Sequence, residues 1–295
     1  MVGSALISKL NDNGFKNILT INSQDLDLKN QRMTNKFLLD NKPDFVYLIA
    51  ARVGGIQANI DNPATYLYDN LMIQSNVINA AKKANVKKLL FVGSSCIYPR
   101  LSKQPMVEEY LLSGNLEPTN EPYALAKIAG IKLCQYYNKQ YQCDFFSVIP
   151  PNIFGPKDNF SLDSSHVVSA LIRKTHEAKI RKKEKLIIWG TGSARREFLY
   201  SEDLAEGLIQ MMKNKVSESY INIGSGRDIS IKELAEMIKT IVGYEGSYVW
   251  DSSMPDGMPR KLMDSSKAKK INWKAKTSLE EGLKKTYKWY LENNS

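Results

Sequence analysis

Three short apolar runs constrain the fold more than any other feature of this chain. DFVYLIA (44–50), KLLFVG (88–93) and FFSVI (145–149) carry almost no polar interruption. A strand with one wet face alternates apolar and polar residues; a strand covered on both faces reads as one continuous apolar run. Helical stretches separate them, at 62–84 and at EPYALAKIAGIKLCQYYNKQY (121–141). Strands alternating with helices in this way predict a parallel sheet with right-handed crossovers. KNILTI (16–21) reads as a further short strand and NQRMTNKFLLDN (30–41) as a helix.

Beyond Pro150 the rhythm loosens. A helix is expected from about His166 to Lys183, then the strand and turn KLIIWGTG, a helix at 201–214, and the strand and turn SYINIGSG (219–226). Ser230 with Glu233 three residues on forms a capping-box signature for a helix at 230–243. A last helix spans 278–293. The expected architecture is α/β. Residues 1–150 form a Rossmann-like, doubly wound nucleotide-binding domain, and 151–295 form mainly a smaller substrate lobe, with some segments returning to the first domain. MVGSALISKLNDNG reads as the back of a dinucleotide-binding opening, with Gly3 the last glycine of a G-x-x-G-x-x-G turn. No segment offers the first strand or the earlier glycines, so this domain reads as N-terminally incomplete.

Composition excludes several function classes. Three cysteines, an odd and sparse count, argue against a disulfide framework. Two histidines and no C-x-x-C pair leave no metal site. No apolar run reaches the roughly 18 residues of a membrane span, and no secretory signal opens the chain, so the reading is cytoplasmic. The net charge of +10 gathers in KIRKKEK (179–185) and KAKK (267–270). Without a nucleic-acid-binding module, that surplus suits solvated surface and a diphosphate ligand better than nucleic acid.

The chemistry concentrates in two stretches. SSCIYP (94–99) follows the second apolar run, and YALAK places Tyr123 and Lys127 four residues apart on one helix face. An ammonium beside a phenol favours the phenolate, so Lys127 is expected to lower the Tyr123 pKa. On residue type alone Cys96 stays open between a small buried hydrophobe and a proton carrier. Cys134 and Cys143 read as structural, Tyr98 as core or cleft wall, His176 as surface.

Taken together, AARVGGI, LLFVGSSCIYP, EPTNEPYALAKIAGIKLC, GPKDNF, REFLY and PDGMPRKLMD resemble the GDP-L-fucose synthase family, within the extended short-chain dehydrogenase/reductases. The likeness runs from Val2 to about Asn293. It implies an NADPH-dependent 3,5-epimerase/4-reductase acting on GDP-4-keto-6-deoxy-D-mannose. Ser94, Tyr123 and Lys127 then match the reducing triad, Cys96 the epimerisation base and His166 its acid. For NADP the resemblance implies Gly3, Ala50, Ala51, Arg52, Gly93, Lys127, Pro150, Asn152, Ile153 and His166. For the GDP-linked 4-keto sugar it implies Lys174, Trp189, Arg196, Asp256 and Lys261. It also implies a homodimer through the 62–84 and 123–141 helices.

Two departures stand out. Pro-Pro-Asn replaces the family's Pro-Thr-Asn at 150–152, removing one backbone donor. Uncharged Asn22, Ser23 and Gln24 occupy the place of the arginine that meets the NADP 2′-phosphate, which leaves NAD tolerance open. Two other functions remain: C4 reduction of a GDP-4-keto-heptose for capsule or lipopolysaccharide synthesis, and a non-catalytic nucleotide-binding relative. Ser94 and Cys96 are expected to share a face through strand alternation, with Ser95 pointing away.

Overall fold

The computed structural model describes residues 1–294 except Asp163, Lys215 and Ser217. The chain runs α1 (Val2–Asp12), α2 (Gln31–Asn41), β1 (Phe45–Leu48), α3 (Ile56–Asp61), α4 (Pro63–Lys83), β2 (Lys88–Val92), α5 (Glu121–Tyr141), β3 (Phe145–Ile149) and β4 (Asn152–Phe154). It continues through α6 (Val167–Ile180), β5 (Lys185–Trp189), β6 (Arg195–Tyr200), α7 (Ser201–Lys213), β7 (Tyr220–Asn222), β8 (Asp228–Ser230) and α8 (Ile231–Val242). It closes with β9 (Ser247–Asp251), β10 (Arg260–Lys261), α9 (Ser266–Lys270) and α10 (Leu279–Asn294).

The apolar runs form the central parallel sheet, in the order β1-β2-β3-β7. β2 and β3 are buried along their whole length, because alternate side chains face two different cores. Leu89 and Phe91 point to one core with Val77, Ile78 and Ile131 of α4 and α5. Leu90 and Val92 point to the other, with Leu6 of α1 and Leu204 and Leu208 of α7. Helices therefore cover both faces, as a doubly wound fold requires. The pairing of β7 with β3 brings a late segment back into this sheet. α5 comes close to β2 at Gly130, where a Cβ would sit 2.6 Å from the Phe91 ring and 2.8 Å from Gln74 Oε1.

A second sheet, β10-β6-β4, is parallel, with β8 antiparallel on β6. β5 and β9 form a separate parallel pair. α6, α8 and α10 bury Leu171, Leu234 and Leu283 in a third core around Phe154 and Phe198. The capping box of α8 is formed: Glu233 N donates to Ser230 Oγ at 3.1 Å, and Ser230 N donates to Glu233 Oε2 at 2.8 Å.

Three expectations are corrected. Residues 16–21 form no strand; a strand needs a ladder neighbour, and here Leu19 and Ile21 lie 49% and 42% exposed beside none. The helix expected from His166 begins at Val167 and ends at Ile180, with His166 as its N-cap. His176 is half-buried rather than on the surface. Its Nδ1 lies 2.9 Å from the Tyr287 hydroxyl, and its ring meets Tyr290 edge-on.

Candidate active site

The carboxyl ends of β1, β2 and β3 present Ala50–Arg52, Gly93–Ser94 and Pro150–Asn152 along one edge. Ligands of open parallel sheets bind beyond this edge. Small residues keep it accessible, and Gly93 is needed for tight packing: a Cβ there would lie 2.6 Å from Ile149 Cδ1.

Strand alternation does not relate Ser94 to Cys96. β2 ends at Val92, and Ser95–Ile97 form a single 3-10 turn capped by Ser94, whose hydroxyl accepts from Cys96 N at 3.5 Å. Ser95 N donates to Pro150 O at 3.1 Å, which ties the turn to the end of β3. The turn still gathers the chemistry: the Ser94 hydroxyl is close enough to the Cys96 thiol and the Tyr123 hydroxyl to act on the pKa of both. Tyr98, just beyond, is core; its hydroxyl donates to Asn222 Oδ1 at 2.5 Å. Cys134 is wholly buried and Cys143 partly so.

Lys127 is 3% exposed. Its Nζ donates to Val92 O at 2.8 Å and lies 4.7 Å from the Phe91 ring centroid and 5.7 Å from that of Tyr123. Burial brings its pKa down to about 8, partly offset by the attraction of Cys96. The expected lowering of the Tyr123 pKa is not met. Burial pushes the phenol well above its ordinary value, Cys96 adds to the rise, and the Ser94 hydrogen bond opposes it. Desolvation of the phenolate outweighs the ammonium, which faces a backbone carbonyl.

Cys96 is buried, and burial raises its pKa; Lys261, Ser94 and Lys127 act against that rise. His166 is exposed at the start of α6, yet desolvation by the protein around its ring lowers its pKa, with Asp158 opposing. In the ligand-free site the proton therefore rests on sulfur and the imidazole is neutral. No hydrogen bond joins His166 to Cys96, Ser94 or Tyr123 among the described residues.

The candidate nucleotide-sugar residues form two pairs. Lys174 Nζ lies 5.2 Å from the Trp189 ring centroid, and Trp189 is 51% exposed at the end of β5, so it is no core tryptophan. Arg196 Nη2 donates to Asp256 O at 3.0 Å. The Asp256 carboxylate accepts from Thr191 N at 2.9 Å and from Thr191 Oγ1 at 2.7 Å. Burial lowers the Arg196 pKa to about 10, with Asp256 and Glu117 opposing. Lys261 pairs in register with Arg196 across β10 and β6. Its pKa is lowered by burial, with Cys96 pulling the other way.

Two buried acids lay outside the sequence expectations. Glu197 accepts from Gly226 N at 2.7 Å and Met263 N at 2.9 Å, while its carbonyl accepts from Asn152 Nδ2 at 3.1 Å. It thereby ties β6, between β10 and β4, to the segment that follows Lys261. An acid inside the apolar run REFLY was the available signal. Glu117 caps the turn before α5 through Thr119 N, at 3.4 Å, and pairs with Arg100 Nε at 3.2 Å. Gly3 lies in the first turn of α1, with open space where a Cβ would stand. Ile153 lies half-buried in β4. Among the described residues no cluster of His, Cys, Asp or Glu could hold a metal ion.

Residues 1–224 match the model of the NAD dependent epimerase/dehydratase family. The chain belongs to that family. Within it, the chain is 52% identical over 294 residues to a probable GDP-L-fucose synthase 1 of Oryza sativa subsp. japonica, covering 99% of this chain and 90% of the relative. It is 48% identical over 302 residues to a GDP-L-fucose synthase of Escherichia coli strain K12, covering 99% and 94%. Among solved structures, a GDP-mannoheptose C4 reductase from Campylobacter jejuni with NADP bound superposes with a TM-score of 0.90. That enzyme is 42% identical, covering 98% of this chain and 95% of its own.

Proposed function

We propose that this member of the epimerase/dehydratase family is a GDP-L-fucose synthase: an NADPH-dependent enzyme that exchanges the C3 and C5 protons of GDP-4-keto-6-deoxy-D-mannose and reduces C4. The observation that carries the reading is the convergence of Ser94, Cys96 and Tyr123 at the end of β2, with Lys127 beneath them. Identity of 52% and 48% to GDP-L-fucose synthases over nearly the whole chain supports the substrate. The small residues on the sheet edge and the buried Lys127 fit a nicotinamide dinucleotide. Ala50, Ala51, Arg52, Gly93, Pro150, Asn152, Ile153 and Lys127 hold it, with Gly3 and His166 nearby.

Bound there, NADPH supplies a hydride to C4. Ser94 donates a hydrogen bond to the C4 oxygen, and Tyr123 gives that oxygen its proton. The raised Tyr123 pKa keeps the phenol protonated until negative charge develops on the substrate oxygen. Lys127 orients the nicotinamide ribose and restores charge balance as the phenolate forms. Before reduction the Cys96 thiol gives up its proton to His166 through solvent; the thiolate then takes the proton from a carbon beside the ketone, and the imidazolium returns one to the opposite face. The ketone acidifies both carbons. Cys96 rests as a thiol, so its ionisation depends on the cations Lys261 and Lys127. Lys174, Trp189, Arg196, Asp256 and Lys261 bind the nucleotide and diphosphate, where the guanidinium of Arg196 matches phosphate geometry.

The chain acts in the cytoplasm as a homodimer with no nucleic-acid partner. α4 and α5 form the dimer contact, and their Tyr68 and Tyr136, each 61% exposed, support that assignment. No described helix is long and apolar enough to cross a membrane. Residues 1–150 serve mainly the coenzyme and 151–295 mainly the sugar.

Likeness to the heptose reductase favours one second reading, C4 reduction of a GDP-4-keto-heptose. A substrate panel separates the two. Our reading expects a higher kcat/KM for the 6-deoxyhexose, with GDP-L-fucose as product. Turnover of the heptose alone contradicts it.

A further inference from the structure

His166 stands at the N-cap of α6 with no side-chain bond to the helix. The place is a poor one for an imidazolium. The first turn of a helix disfavours positive charge, and the protein around the ring already lowers its pKa. Yet in the exchange of carbon-bound protons the ring becomes a cation when it takes the thiol proton. It stays one until that proton goes to carbon. Among the described residues Asp158 is the one charge set against the cost of burying that cation.

The fold brings Asp158 there by a specific contact. The Ser169 hydroxyl donates to Asp158 Oδ2, and Asn159 N donates to Asp158 Oδ1 at 2.9 Å. Ser169 is the third residue of α6 and is fully buried. The N-cap and the third helical position lie within side-chain reach of each other, which is why capping boxes pair them. Here the third position has no acid of its own, and its hydroxyl holds one from the preceding loop. That loop is pinned. Asn159 Nδ2 donates to Ser164 Oγ and Ser161 N to Asn159 Oδ1, both at 2.9 Å. Arg173 Nη1 donates to Phe160 O at 3.0 Å, and the Phe160 ring is buried beside Trp289 and Tyr290. Gly55 N donates to Ser164 O at 3.2 Å, and the segment 54–57 carries no charge. The remaining charged groups close by are Lys157, next in the chain, and the Met1 amino group, which Asp158 also attracts. The carboxylate is therefore shared between an amino group and the imidazole.

We propose that Asp158 is a positioning residue for His166, held on Ser169 so that its carboxylate stabilises the imidazolium formed when the ring takes the Cys96 proton. One proton moves, from sulfur to the ring through solvent and from the ring to carbon, while Asp158 neither gives nor takes one. A carboxylate beside a histidine favours the charged ring. The inference deepens the epimerisation reading above and rests on it.

The chain has two histidines, so NMR of the imidazole Cε1–H signals, assigned with His176→Gln, reads each titration separately. Asp158→Asn keeps the shape of the side chain and its bonds to Ser169 and the Asn159 amide. In it His166 should titrate about one pH unit lower than in wild type. His176, beside Lys179, Glu177 and Tyr287, should stay where it was. Ser169→Ala, which frees the carboxylate, should give part of the same shift and serves where Asp158→Asn does not fold. Asp163→Asn, five residues along the chain and outside the described residues, should give none. With GDP-4-keto-6-deoxy-D-mannose in deuterated water, Asp158→Asn should exchange C3 and C5 about tenfold more slowly, since one pH unit is tenfold in the ion-pair population. The acid limb of its exchange profile should lie about one pH unit lower. An unmoved His166 titration, an equal shift in Asp163→Asn, or a shifted titration with exchange unchanged overturns the proposal and leaves the epimerisation reading standing. A wild type that reduces the sugar without exchange overturns both.

Discussion

The turn after β2 and the rim around β5 and β10 both carry residues matched to one reaction, and they are built differently. Ser94, Cys96, Tyr123 and Lys127 sit on the end of a strand buried along its whole length and on the first turns of a long helix. Burial is the first cause that moves the pKa values of Cys96, Tyr123 and Lys127. Lys174, Trp189 and Arg196 sit on an exposed helix face and short strands, partnered by one another and by Asp256. The first region fixes charge states in advance; the second offers charge and a flat ring to whatever arrives. The contrast teaches that losses in the turn should appear in rate and losses at the rim in affinity.

The largest effect should come from Tyr123→Phe. Removing a positioned proton donor lowers the reduction rate by about 10²–10⁴-fold, measured as NADPH oxidation, while deuterium exchange into the sugar persists. Loss of both together breaks the separation between the two half-reactions. Next, Arg196→Met should raise KM for the GDP-sugar about tenfold with kcat nearly kept, since a ground-state contact is removed. A fall in kcat at unchanged KM would move Arg196 into the reacting centre.

Glu197→Ala tests the link between the regions through stability. It leaves the buried amide of Met263 without a partner, at about 1–3 kcal/mol, while the exposed amide of Gly226 turns to water, so denaturant unfolding should show a loss of about 1–3 kcal/mol. A loss under half a kcal/mol contradicts the bridging role.

Lys127 gives a pH test with two opposite signs. Its ammonium titrates at about 8 when folded, against an ordinary 10.5. Between these values the unfolded chain binds more protons, so stability rises with pH across that window. Reduction, which needs the cation, falls as pH rises through about 8. Wild type should gain stability relative to Lys127→Met on going from pH ~8 to pH ~10; a constant difference contradicts the shift. The smallest effect is Lys174→Met at the rim, where losing one exposed cation–π contact should change KM about threefold.

Much of the fold was legible because the forces behind it are local. α5 spans the expected 121–141, and β2 and β3 fall on the continuous apolar runs. The misreadings have non-local causes. Residues 16–21 have strand composition, but only a neighbouring ladder makes a strand. The face shared by Ser94 and Cys96 comes from a 3-10 turn, which the six residues SSCIYP do not announce. Proximity of Lys127 to Tyr123 was readable from spacing four; that desolvation outweighs it depends on the packing of Phe91, β2 and α5. Glu197 is marked in the sequence only as the acid inside REFLY, and its burial and partners in the fold give it its role.

The central claim is that one turn serves two half-reactions, Tyr123 for hydride acceptance and Cys96 for carbon-acid exchange. Cys96→Ser, given GDP-4-keto-6-deoxy-D-mannose and NADPH in deuterated water, measures both at once. The account predicts that deuterium at C3 and C5 falls far more than the rate of NADPH oxidation per encounter with reducible sugar. Equal loss of exchange and oxidation, or full exchange retained by the serine variant, contradicts it.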